Sequence, residues 1–321
     1  MGTAAGSRYT FHLKAIGGLI LSAARSWVDD YAPSMGAALS YYTLFSVAPL
    51  LLIVMALAGS VFGAEAARGE IIGQLRGLMG EEGAHAVQAL LEAAHRPGQS
   101  AVATITGGVF LLIGATSVFV ELQDALDRIW RVPQRIKPSG LWRLLRSQLL
   151  SVGMILCIGF LLIVSLLASA LLAAFGRWWG PLFASWELLG HTINFTLDFV
   201  LTCTIFALIY KFMPRVRIQW MDVWVGAAVT ALLFTIGKLL IGLFIGKSGI
   251  TSVFGAAASL AVVLIWVYYS AQIFLMGAEL TWVYAHVYGS RKDQPVVPAP
   301  LVPTKLAATE GTPFKAGPPP A

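Results

Sequence analysis

Charged and polar side chains set inside long apolar runs are the residues of this sequence whose types and spacing point to chemistry. Asp198 lies five residues into one such run, and Lys238 lies seven residues from the end of the next. At a helical rise of 1.5 Å per residue, these become depths of about 7.5 and 10 Å from the same side. Either charge alone in hydrocarbon costs several kcal/mol. Opposite charges at matched depth on antiparallel neighbours therefore predict an Asp198–Lys238 ion pair facing the bundle interior. The plainer alternative has Lys238 snorkelling to the interface and Asp198 touching water.

A second polar group gathers at the other end of the runs. Glu121, Asp124, Asp127, Arg128, Trp130 and Arg131 continue one run; Gln272 and Glu279 close another; Ser40, Tyr41, Tyr42 and Pro49 open a third. Asp124–Arg128 and Asp127–Arg131 have the i,i+4 spacing of helical ion pairs. Pro49 is placed to kink its helix. At one common depth these residues predict a single inward-facing polar cavity, in which Glu121 and Glu279 are wet or paired with arginine. The alternative is a set of ordinary helix-end charges at headgroup level.

The chemistry implied is passage of a polar group and not bond-making. Gly242-x-x-x-Gly246-Lys247-Ser248 is one residue short of a phosphate loop and follows an apolar helix instead of a strand. It reads better as a face for close helix contact, as do Gly59 and Gly63. No H-E-x-x-H or G-x-S-x-G pattern occurs, and His12, His85, His95, His191 and His286 are scattered. The Asn194-Phe195-Thr196 sequon lies at the edge of an apolar run. No catalytic residue, cofactor or metal site is expected.

The elements that must position these residues follow from hydropathy. The chain has 321 residues, 57% hydrophobic and only 12% charged, against about 25% charged in soluble domains. Its apolar blocks are about twenty residues long, the length that crosses a hydrocarbon core about 30 Å thick. The expected fold is all-α: a polytopic membrane bundle of about six helices, near 42–63, 101–121, 149–175, 193–213, 223–245 and 255–284. Residues 1–41 form an N-terminal segment with an interfacial or half-inserted helix over 12–30. Residues 64–95 form an amphipathic helical segment outside the membrane, broken at Arg96-Pro97-Gly98. Residues 289–321 hold eight of the fifteen prolines and read as a disordered tail. Cys157 and Cys203 read as packing residues and not as a disulfide.

Sixteen of the 22 lysines and arginines fall in the N-terminal segment, the 122–147 and 211–222 connections and the tail, against five in the alternate loops. By the positive-inside rule both ends are then cytoplasmic, and Trp178, Trp179 and Trp186 suit the outer interface. The same distribution accounts for the basic character without nucleic acid as partner.

Three ordered stretches resemble the signatures of the YihY/BrkB family, long mislabelled as ribonuclease BN. They are Ala38 to Leu52 (ALSYYTLFSVAPLLL), Ser117 to Val132 (SVFVELQDALDRIWRV) and Gly249 to Ala285, with SVFGAA and IWVYYSAQIFLMGAELT inside it. Asp127 stands where that family often has Asn. The resemblance covers residues 20–288. It implies a bacterial inner-membrane protein with six spans and carries over no substrate or catalytic residue. Some members are associated with serum resistance and others with export of envelope lipid or lipopolysaccharide precursors.

The leading expectation is a transporter or translocase of lipid or envelope-precursor molecules, with membrane lipids as partners. The alternative is a non-transporting scaffold or assembly factor that docks an envelope protein through residues 64–95. Ribonuclease activity would need clustered metal-binding carboxylates or a basic groove with stacking aromatics, and the sequence has neither.

Overall fold

Leu-, Ile-, Val- and Ala-rich runs with no interior break satisfy their backbone polar groups within themselves as helices, as lipid requires. The computed structural model describes residues 4–94, 117–132, 186–248, 254 and 257–293. These residues form helices and turns, with no strand among them. The helices are α1 (Ala4–Asp29), α2 (Ala32–Phe62), α3 (Ala64–Ala94), α4 (residues 117–129), α5 (Trp186–Phe212), α6 (Trp220–Lys247) and α7 (Ala258–Val287).

Three of them are long and apolar enough to cross a membrane: α5 through Phe195–Phe212, α6 and α7. They match the runs expected at 193–213, 223–245 and 255–284. α5 starts seven residues early because Glu187, Leu188 and Leu189 are good helix formers, and hydropathy marks the apolar length and not the helix end. Of the runs expected at 101–121 and 149–175, only residues 117–121 are described. Cys157, Trp178, Trp179, His95 and the tail beyond Asp293 also lie outside the described residues.

α6 is apolar on every side, as a helix between lipid and protein must be. Its large side chains Leu239 and Leu243 are 64% and 58% exposed, an apolar surface that suits hydrocarbon and not water.

The N-terminal segment is part of the bundle. α1 ends at Asp29, Tyr31 takes the left-handed conformation (φ 57°), and Pro33 lies in the first turn of α2, where its missing N–H costs nothing. α2 therefore begins at Ala32, ten residues before the expected start at 42, and stays helical through Pro49. Trp27 of α1 lines a groove with Gln272 of α7, Gly36 of α2 lies against the same Gln272, and both helices pack on α7. α1 lies along α7.

α3 is helical as expected, but it is bent into a hairpin. Gly80 (φ 78°, ψ 176°) breaks the helix, and an Arg68–Glu92 ion pair of 2.8 Å joins positions twelve residues on either side of it. Met79, Val87 and Leu91 pack with Ile241 and Ile245 of α6 and Val262 and Val263 of α7. The apolar side of this segment is thus covered by its own chain. Its polar side carries Arg76–Glu81 and Glu81–His85 contacts.

Among the described residues, close helix contact is made elsewhere than at the glycines expected for it. A Cβ on Gly242, Gly246 or Gly63 would meet nothing within 4 Å, and one on Gly59 would meet only Ala64. The tight crossing is α6 on α7. There Thr230 sits against Gly277 and Thr281 against Gly226, with no room for a Cβ at either glycine. Tyr210 of α5, wholly buried, closes this crossing by donating to the Phe274 carbonyl at 2.7 Å.

Candidate functional site

The polar side chains of the chain concentrate where the α1–α2 turn, the end of α4, the α5–α6 turn and the end of α7 meet. α4 ends in a capping turn. Arg131 is left-handed (φ 53°), the Val132 N–H bonds to the Asp127 carbonyl at 2.9 Å, and the Arg131 N–H bonds to the Arg128 carbonyl at 3.0 Å. This is the pair of bonds that closes a helix C-terminus with its next residue left-handed. A non-glycine residue there costs about 1–2 kcal/mol. Tyr31 makes the same sacrifice in the neighbouring turn. Two strained residues side by side mark a place where side-chain contacts dictate the backbone.

Those contacts are buried ion pairs. Arg131 donates Nη1 to Asp30 Oδ1 at 2.5 Å, with the Asp30 side chain wholly buried and that of Arg131 9% exposed. Its guanidinium also lies over the Trp282 ring, 5.2 Å from the centroid. Arg128 lies over the Tyr31 ring at 5.4 Å. Burial raises the Asp30 carboxyl above its usual range, and the Arg131 charge pulls it partly back. Glu279 of α7 is also wholly buried, and its carboxyl is within hydrogen-bonding reach of Asp30. Asp30 Oδ2 and both oxygens of Glu279 find no hydrogen-bond partner.

A second cluster is fully satisfied. Arg215 donates its backbone N–H to Asp127 Oδ1 at 2.9 Å, Nη1 to Asp127 Oδ2 at 2.5 Å and Nη2 to Gln123 Oε1 at 2.7 Å. Gln123 donates Nε2 to the Met213 carbonyl at 2.9 Å. Asp124 lies 3.5 Å from Arg215. A third contact ties down the start of the expected tail. Ser290 donates Oγ to Asp222 Oδ2 at 2.5 Å, and Arg291 lies over Trp130.

Beside this polar joint, a groove of about 280 Å³ lies between α1, α6 and α7. Trp27, Ile236, Leu240, Tyr269, Gln272 and Met276 are among its walls. The Trp27 indole N–H and both amide atoms of Gln272 are buried without a hydrogen-bond partner. Gln272 precedes Glu279 by two helical turns, about 10 Å along α7.

The structure thus brings together part of the group read from sequence. Asp124, Arg128, Trp130 and Glu279 meet at the polar joint. Among the described residues, however, the joint holds two direct buried ion pairs, Arg131–Asp30 and Arg215–Asp127, beside a Glu279 carboxyl without a hydrogen-bond donor. The hydrogen bonds of Arg131 and Asp127 go to Asp30 and Arg215, on other elements. Glu121 is half-buried on α4. Tyr41 points outward, 56% exposed, with Tyr42 and Phe45 edge-on to it at 5.6 and 4.9 Å. Pro49 lies further along α2. Asp198 is exposed on α5, Lys238 is half-buried on α6, and no ion pair joins them. Sequence reasoning missed Asp30 and Arg215. Asp30 fell within the expected helix over 12–30 and Arg215 within the basic 211–222 connection, with no role for either; Arg215 and its partner Asp127 stand 88 positions apart, beyond any spacing rule.

The family described as virulence factor BrkB matches residues 23–300 of this chain. A "UPF0761 membrane protein" of Pseudomonas aeruginosa strain LESB58 is 31% identical over 263 residues, covering 80% of this chain and 60% of that protein. Similar proteins with that name from Acinetobacter baylyi and Ralstonia nicotianae are 27% and 26% identical, over 82% and 78% of this chain and 61% and 55% of theirs. The chain therefore spans about 60% of the length of these curated relatives. No solved structure matches.

Proposed function

The chain belongs to the BrkB virulence-factor family of membrane proteins, and we propose that it is a transporter or translocase of lipid or envelope-precursor molecules in a bacterial inner membrane, with both ends cytoplasmic. The observation that carries this reading is the groove between α1, α6 and α7. Its walls are largely apolar, Ile236 and Leu240 among them are also exposed on α6, and it lies about two helical turns from a buried cluster of charges. Such a surface suits acyl chains in the groove and a polar headgroup near the charges. The orientation is supported by the basic connections on the Asp30 end. No bond-making role is assigned to any residue.

The test is reconstitution of the full chain into vesicles with fluorescently labelled phospholipid. Wild type is expected to speed headgroup exchange between leaflets relative to empty vesicles. Leu240→Trp, which places a ring in the groove mouth, is expected to slow it. A wild-type rate equal to that of empty vesicles overturns the proposal.

A scaffold role through residues 64–95 is the less favoured reading. The apolar side of α3 is already covered by α6 and α7, and four of its charged groups, Arg68 with Glu92 and Arg76 with Glu81, are paired within the segment.

A further inference from the structure

We infer that Asp30 and Glu279 form a proton-binding site, one proton shared between their two carboxyls, that locks the α1–α2 turn onto α7. The inference stands on the geometry of the pair and does not need the transport reading.

Both side chains are wholly buried. They belong to elements far apart in sequence, so nothing local forces them together. Arg131 supplies one hydrogen bond, to Asp30 Oδ1. The remaining three oxygens lack a donor, because two carboxylates offer each other only acceptors. One proton removes the conflict. It turns either carboxyl into a donor, and an O–H···O bond then joins α7 to the turn. The charges agree. Two carboxylates facing one guanidinium leave one negative charge in excess at a dry site, and two such groups at contact distance do not both ionise. With one proton present, the remaining carboxylate and Arg131 balance.

The other charges around the pair do not alter this count. Asp29 adds negative charge from the end of α1. Arg128 of α4, over the Tyr31 ring, adds a positive charge that acts on Asp30 and offsets Asp29. His286, two turns further along α7, engages its own helix through the Trp282 carbonyl at 2.8 Å. Asp222 of α6 is held by Ser290. α2 contributes no charged side chain at this level. A metal cation in place of the proton would need several further oxygen ligands, and the described residues hold no group of three metal-ligating side chains.

Release is a simple dissociation. The O–H bond breaks, its electron pair stays on the carboxyl oxygen, and the proton passes to water at this end of the bundle. The two carboxylates then repel, which weakens the hold of α7 on the turn, while Arg131 on Asp30 and Arg128 on Tyr31 still tie it to α4.

The proton is read directly by infrared difference spectroscopy of the full chain in nanodiscs. Wild type at pH 7 is expected to show the carbonyl stretch of a buried protonated carboxylic acid, with the downshift that exchange into D2O produces. That band is expected to be lost in Glu279→Gln and to fade in wild type as the pH is raised. The wild-type titration uses no variant, so a variant that fails to fold leaves the inference falsifiable. Absence of the band in wild type at pH 7 overturns it. Displacement of the band by sodium at constant ionic strength also overturns it, in favour of a cation site.

Discussion

Thr230 of α6 and Gly277 of α7 meet so closely that a Cβ on the glycine would collide with the threonine side chain. Thr281 and Gly226 repeat the arrangement with the helices exchanged. Each hydroxyl gives its hydrogen to the carbonyl of the glycine one turn earlier on its own helix, Thr230 to Gly226 and Thr281 to Gly277, both at 2.7 Å. Each threonine therefore fills the other helix's gap without exposing an unpaired hydroxyl. In lipid, where apolar burial does not favour helix contact over lipid contact, this packing is what joins two helices.

Gly277→Ala is expected to lower stability by about 1–3 kcal/mol, the usual cost of forcing a methyl group into filled space. Gly242→Ala is expected to be neutral or to raise stability by up to about 1 kcal/mol, since a helical Ala restricts the unfolded chain more than Gly. Thermal unfolding of the two variants in the same detergent checks the contrast. Equal responses would mean that the Thr230–Gly277 contact is not tight.

Tyr210→Phe removes a wholly buried hydroxyl that serves the Phe274 carbonyl and lies 3.1 Å from Thr230 Oγ1. Phe keeps the ring and its packing against Phe206 and Phe274. The expected loss is about 1–2 kcal/mol, that of an uncharged buried hydrogen bond. A loss above about 4 kcal/mol would assign Tyr210 a role beyond this bond.

Asp127 and Arg215 form the best-satisfied ion pair of the polar joint, with side chains 0% and 8% exposed. Asp127→Ala leaves the buried Arg215 guanidinium with only Gln123 and the longer contact to the half-exposed Asp124, and it is expected to cost about 3 kcal/mol, the low end for a broken buried pair. Arg215→Lys keeps the charge but cannot reach Asp127 and Gln123 at once, so it falls between wild type and Asp127→Ala. The double variant Asp127→Ala, Arg215→Ala is expected to lose less than the sum of the two single changes. Additive losses in detergent melts would remove the coupling.

Much of the fold was legible because a membrane span is written in composition. α6 and α7 lie within three residues of the apolar runs that announce them, and the helical hairpin of α3 falls on a segment whose apolar residues have helical spacing. Pairing was less legible. Asp124–Arg128 and Asp127–Arg131 have ideal local spacing, yet Arg131 reaches back 101 positions to Asp30 and Arg215 reaches back 88 to Asp127. Long-range electrostatics overrides i,i+4 proximity when the partners are buried, because a surface-type pair contributes only a few tenths of a kcal/mol. One signal could have been found. Gly226-x-x-x-Thr230 and Gly277-x-x-x-Thr281 are both small-residue repeats on helix faces, and attention to Gly242 and Gly246 passed over them.

Asp198 and Lys238 give the sharpest comparison of sequence depth with observed direction. Their matched distances from one end of the bundle predicted an ion pair. Asp198, however, is exposed on α5 and Lys238 is only half-buried on α6, although those two helices pack together. Equal depth fixes position along the helix axis but not rotation about it, and a lysine stem is long enough to carry its charge to the interface. Asp198→Ala and Lys238→Ala are therefore expected to act independently, the double variant matching their sum within about 0.5 kcal/mol. Exchanging the two charges is likewise expected to restore nothing that either reversal alone removes. A coupling above about 1 kcal/mol in the same melts, the range seen for residues in contact, would reinstate the buried pair and require α5 to be rotated from the orientation described.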